Sequence, residues 1–84
     1  MSYTVLFKPS AEREFEALPP NIQARLAPHL RALEQNPRPP GAKKLKARPG
    51  YRFRVGEYRV IYAVDDRDRI VRILAIGHRR DIYR

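Results

Sequence analysis

Hydrophobic positions change period along this chain, and each change marks an element. Residues 3 to 8, YTVLFK, alternate and are rich in β-formers, which predicts a first strand; Pro9-Ser10 follows as a stop and a helix N-cap. Ala11, Phe15 and Leu18 then recur at helical spacing until Pro19-Pro20 breaks the pattern. Ile22, Leu26, Leu30 and Leu33 form the apolar stripe of a second helix ending near Asn36, ahead of Pro37, Pro39 and Pro40. Two short helices joined by a prolyl turn predict a hairpin. Pro28 lies inside the second helix, where it removes a hydrogen bond and crowds the carbonyl of Ala24, at about 3 kcal/mol in a straight helix. A kink is expected there.

The period then falls to two. After the cationic loop GAKKLKARPG (41 to 50) come YRFRV (51 to 55), YRVIYAV (58 to 64) and IVRILAIG (70 to 77), the last two separated by the polar turn DDRDR. The order β-α-α-β-β-β predicts an α+β fold: a helical hairpin packed on one face of a small twisted antiparallel sheet. No repeat divides the chain, and residues 1–84 are read as one domain.

Gly56-Glu57 is a two-residue turn with glycine at its first central position, the pattern of a type II′ hairpin. Counting back from it sets Val55 opposite Tyr58, Arg54 opposite Arg59, Phe53 opposite Val60 and Tyr51 opposite Tyr62. Since side chains alternate between faces, Tyr51, Phe53, Val55, Tyr58, Val60 and Tyr62 share an apolar face suited to the helices. Arg52, Arg54 and Arg59 share the other. Like charges directly across a strand pair destabilise it. Selection for folding alone would more readily place Glu or Thr at one of these positions, so the arrangement points to a site that expects an anion, the alternative being a solvated face whose repulsion is screened or relieved by Glu57, Asp65 or Asp81. Phosphate fits, because the planar guanidinium binds its oxygens bidentately.

Composition narrows the classes. Eighteen Lys and Arg against nine Asp and Glu give a formal charge of +9, which favours a polyanionic partner, nucleic acid first and an acidic protein second. Cysteine is absent, removing disulfides, thiol nucleophiles and thiolate zinc sites, and two histidines, His29 and His78, make a metal site unexpected. No cofactor is implied. No apolar run has the length of a membrane span and residues 1 to 20 lack a signal-peptide pattern, so a cytoplasmic location is expected. A chain of this size builds a core of modest stability, and a stabilising partner is expected.

The stretch KKLKARPGYRFRVGEYRVIYAVDD, followed by a strand and then GHRRDIY, resembles the RelE/ParE superfamily of bacterial toxins, and the RelE-like mRNA interferases most closely. The similarity covers essentially the whole chain. It implies an endoribonuclease that enters the ribosomal A site, cuts the messenger there, and is held inactive by a cognate antitoxin. The family's basic pair on the second strand falls on Arg52 and Arg54, the arginine of its YR-x-x-Y segment on Arg59, the arginine after the strand-ending glycine on Arg79, and the C-terminal tyrosine on Tyr83. Relatives often carry lysine where Arg52 or Arg54 stands, and many continue past the tyrosine into another helix. ParE-like members share the fold, act on DNA gyrase and generally lack the terminal Arg and Tyr. Gyrase poisoning and passive nucleic-acid binding are the alternative readings.

Cleavage by the internal route needs the 2′-hydroxyl deprotonated, the phosphorane stabilised and the 5′-oxygen protonated. The strand face shows no His/Glu pair, the usual acid–base couple, but it shows cations able to position and stabilise charge. The resulting assignment takes Tyr83 as the base or orienting group for the 2′-hydroxyl, Arg54 and Arg59 on the scissile phosphate, and Arg79 near the leaving oxygen. A phenol of pKa about 10 needs neighbouring cations to serve as a base. Arg52, Lys43, Lys44, Lys46 and Arg48 are assigned to the RNA backbone. His78, adjacent to Arg79 and so of opposite strand parity, is assigned a structural role.

Overall fold

A computed structural model describes residues 2–78. The elements run β1 (Thr4–Phe7), α1 (Pro9–Glu16), α2 (Pro20–Ala32), β2 (Lys43–Lys44), β3 (Tyr51–Val55), β4 (Tyr58–Asp65) and β5 (Ile70–His78). The strands form one sheet in the order β1-β5-β4-β3-β2. Both helices pack on one of its faces, and none of the described helices is long and apolar enough to cross a membrane.

The sheet is mixed rather than wholly antiparallel. β1 pairs with β5 in parallel, Thr4 with Ile70 through Phe7 with Ile73, while the remaining pairs are antiparallel. Two tight connections between β3, β4 and β5 reverse the chain twice, so β5 points the same way as β3. The long helical crossover delivers β1 in that direction too, and strands of like direction can pair only in parallel. Local patterning carries no information about that long-range choice.

Smaller departures have local causes. Helix α1 begins at Pro9, not after Ser10: proline occupies the first turn, where its missing N–H costs nothing, and Lys8 precedes the helix without a side-chain cap. Helix α2 spans Pro20–Ala32 and stays helical through Pro28. Pro28 and Ala24 are both exposed, so the carbonyl that loses its partner faces water. Within the cationic loop, Lys43 and Lys44 add a short strand against Arg52 and Tyr51. The loop then closes through the Leu45 N–H bonded to the Gly50 carbonyl at 2.9 Å. Gly50 holds φ +126°, and a Cβ there would stand 2.9 Å from the Tyr62 carbonyl oxygen, so the loop requires glycine.

The core joins Ala11, Leu26, Leu30 and Leu33 of the helical layer to Val60, Tyr62, Val71, Ile73 and Ile76 of the two central strands. Tyr62 is fully buried, between the rings of Tyr51 and Phe53 at 5.8 and 5.9 Å. Its hydroxyl donates to the Pro37 carbonyl at 2.7 Å, tying the segment after α2 to the sheet. Burial pushes its pKa up to about 12.

β5 contains a bulge. Ile61 pairs with Ala75 but Tyr62 with Ile73, leaving Leu74 as the extra residue. Side-chain parity therefore switches: Val71 and Ile73 face the helices before the bulge, and Ile76 faces them after it. β1 has ended by this point, and a Glu14 carboxylate oxygen accepts the Ile76 N–H at 2.9 Å.

An exposed polar cluster fastens the sheet margin. Asp66 accepts two bonds from the Arg38 guanidinium, at 2.7 and 3.2 Å, and one from the Tyr3 hydroxyl at 2.6 Å. Arg38 also donates to the Tyr51 hydroxyl at 2.8 Å.

Two stability predictions follow from these contacts. Tyr62→Phe removes the donor to a buried carbonyl and should destabilise by about 1–3 kcal/mol; an unchanged urea midpoint would refute the importance of that bond. For Asp66, the hydrogen bonds from Arg38 and then Tyr3 hold the carboxyl below its ordinary value. A depressed carboxylate contributes stability above its unfolded pKa of about 3.9, and that contribution is lost as pH falls through the folded value. Asp66→Asn should thus be less stable than the parent near neutrality, with the two curves converging as the pH falls through the lowered folded-state value. Urea midpoints measured across acid pH test this, and a gap that persists at the acid end would count against it.

Candidate functional site

The register read from the turn is the one the structure adopts: Arg54 pairs with Arg59, Phe53 with Val60 and Tyr51 with Tyr62. Gly56 takes φ +61°, as the first central position of a type II′ turn demands. β2 adds a second cross-strand pair of like charge, Lys43 with Arg52. Four cations on three adjacent strands thus stand together on the face away from the helices.

Between them lies a cavity of about 420 Å³ lined by Gly41, Lys43, Arg52, Phe53, Arg54 and Arg59. Among the described residues, every charged side chain of that lining is a cation. Arg52 and Arg59 are half-buried and Arg54 is exposed, so the cavity offers guanidinium groups both at depth and at its mouth. Such a surface can hold a phosphate diester through charge-assisted bonds and stabilise further negative charge developing on it.

Two features of the site were missed in sequence. Gly77 lies opposite Arg59 in β5, and a Cβ added there would meet nothing within 4 Å among the described residues. The glycine ending an otherwise apolar strand was the available signal. The second is the bulge at Leu74, which brings Gly77 rather than Ile76 to this face; no residue in IVRILAIG announces it.

His78 pairs with Tyr58 on the opposite parity, with its ring 5.6 Å from that of Tyr58 in an edge-on contact. Of the loop cations, Lys43 lines the arginine cavity. Lys44, Lys46 and Arg48 line a neighbouring one together with Arg52. Arg79 and Tyr83, assigned to the leaving oxygen and the 2′-hydroxyl, lie outside the described residues.

Comparison with known proteins identifies the family. Residues 5–83 match the sequence model of the ParE toxin of the type II toxin–antitoxin system parDE. The chain is 37% identical to Toxin RelG of Mycobacterium tuberculosis over all of its own length and 99% of the relative's. In three dimensions it is similar to a chain of the toxin–antitoxin complex RelBE2 of M. tuberculosis, with a TM-score of 0.83 and 32% identity over 93% of this chain and 99% of that one. It is likewise similar to a chain of the archaeal RelE–RelB complex of Pyrococcus horikoshii, with a TM-score of 0.82 and 30% identity over 94% and 97% of the two chains. The chain belongs to the RelE/ParE family and is a toxin of a type II toxin–antitoxin system.

Proposed function

We propose that this toxin is a ribosome-dependent endoribonuclease that cuts messenger RNA in the A site by attack of the 2′-hydroxyl on the adjacent phosphate. The observation that carries the reading is the Arg54–Arg59 pair, held face to face across a hairpin beside Arg52 and Lys43 around one cavity. That placement costs stability in the absence of an anion. The likeness to RelG and to RelE chains favours the same branch of the family.

In this mechanism Arg54 and Arg59 hold the non-bridging oxygens of the scissile phosphate and take up the charge of the phosphorane. Tyr83 orients the 2′-hydroxyl or accepts its proton. The new 2′-O–P bond closes a 2′,3′-cyclic phosphate as the P–O5′ bond breaks, and Arg79 stabilises the leaving oxygen, which takes a proton from water. Arg52, being permanently charged, positions phosphate and removes no proton. Lys43, Lys44, Lys46 and Arg48 grip the backbone. Cations alone align a flexible strand poorly, and the ribosome provides the missing constraint.

Messenger in a programmed A site should therefore be cut far faster than the same RNA free in solution, giving cyclic-phosphate or 3′-phosphate ends. A 2′-deoxy nucleotide at the cut should stop the reaction, and folded Arg59→Ala should lose about 10²-fold or more in kcat. Equal rates on free and ribosomal RNA, or cleavage of the deoxy substrate, would exclude this mechanism. DNA breaks in expressing cells without new messenger ends would point instead to gyrase.

The partner in this reading is a cognate antitoxin, as in the toxin–antitoxin complexes of the relatives. An apolar groove of about 260 Å³ between β1 and the helices, lined chiefly by Val5, Phe7, Phe15, Ala27 and Leu30, fits apolar side chains of an amphipathic segment. The neighbouring gene's product, at about 100 times its Kd, should add roughly 2.7 kcal/mol of stability and raise the thermal midpoint. No rise on mixing the two would refute that partner.

A further inference from the structure

A second cavity adjoins the arginine cavity, of about 370 Å³, built from Leu45, Lys46, Ala47, Arg48, Arg52 and Ile61. Its composition differs from its neighbour's. Ile61, only 2% exposed, lies on the cationic face because it pairs directly with Arg52. The loop closed by the Leu45–Gly50 bond stands beside it and supplies Leu45 and Ala47. The result is an aliphatic floor with cations at its edge and no carboxylate among the described residues of the lining. Arg52 belongs to both cavities.

We propose that this cavity receives the base of a nucleotide next to the scissile phosphate, with Leu45 and Ala47 against the base above the buried Ile61, and Lys46, Arg48 and Arg52 on the flanking phosphates. The proposal rests on the reading of the arginine cavity as a phosphate site and adds a contact to the base itself. A solvated cationic face needs no apolar floor, whereas a nucleotide has an apolar ring edged by anionic groups. Arg52 and Arg54, two residues apart on one strand face, are separated by about 7 Å, comparable with the step between phosphates of an extended single strand. An RNA passing from one cavity to the next over Arg52 therefore advances by one nucleotide. An acidic peptide would match the rim but leave Leu45 and Ala47 without a counterpart.

Because the contact is aliphatic, it should tolerate different bases while still registering the loss of one, at the low end of what a stacked base contributes. The test uses short labelled RNA with a 2′-deoxy residue at the cut, so that binding is read without cleavage. An abasic residue immediately before or immediately after the scissile phosphate should weaken binding about fivefold at one of the two positions. In folded Leu45→Ala protein that penalty should largely vanish. A photoreactive uridine analogue at the sensitive position should crosslink within residues 45–48, a result that does not depend on how well the variant folds. Affinity indifferent to base loss at both positions, or crosslinks confined to other segments, would overturn the base site while leaving phosphate binding and cleavage standing. An acidic peptide that bound more tightly than the RNA would overturn it in favour of a protein ligand. Failure of intact RNA to bind at all would overturn both this proposal and the reading on which it rests.

Discussion

The two-residue turn at Gly56-Glu57 governs both halves of the molecule. Its positive φ fixes the pairing of β3 with β4, and because side chains alternate, a slip of one residue would send Phe53, Val60 and Tyr62 to the open face and the arginines toward the helices. Burial of that aromatic and aliphatic set is therefore also what holds Arg54 against Arg59. The repulsion between the guanidinium groups cannot relax by a change of register, since any such change would dismantle the core. In this domain the cationic face is the reverse side of the hydrophobic core, and one hairpin specifies both.

β5 has two tasks that simple alternation cannot meet together. Near its start it must present Val71 and Ile73 to the helices, and near its end it sets a glycine opposite Arg59. Unbroken alternation from Ile73 would turn Gly77 toward the helices and Ile76 toward the cations. The extra residue at Leu74 resets the parity, so that Ile76 is buried and Gly77 stands beside Arg59. The Glu14 carboxylate meets the Ile76 N–H just past this irregularity. An acidic side chain of α1 thus acts on the strand whose Gly77 pairs with Arg59, although it lies on another element.

The hairpin and its cationic face were legible because the information is local: a glycine turn, a period of two, and a count of residues. The helices were legible for the same reason, from the spacing of Ala11, Leu26, Leu30 and Leu33. The parallel pairing of β1 was not, since it depends on where a crossover of two helices returns the chain. The bulge was hidden because Ile73, Leu74, Ala75 and Ile76 are all apolar and read equally well in either parity. Arg38 passed unnoticed within a proline-rich segment; its role arises only when folding brings Asp66 and Tyr51 to it, at 28 and 13 residues' separation. At the site, the cations could be named in advance, whereas the aliphatic floor of the second cavity required knowing that Ile61 and the Leu45 loop meet on the cationic side.

The positions of these surfaces constrain how an antitoxin can act. β1 and β2 are the opposite edges of the sheet. The apolar groove lies by β1 on the helical face, while the cations gather around β2, β3 and β4 on the other face. A partner that only filled the groove would stabilise the toxin without reaching Arg54 and Arg59. Reaching them directly takes a chain long enough to pass round the sheet and carry acidic residues onto its far side. There it would meet Lys43, Arg52, Arg54 and Arg59, two cross-strand pairs of like charge, and would be drawn by their combined field. In the proposed reading, RNA and antitoxin would compete for the same four cations.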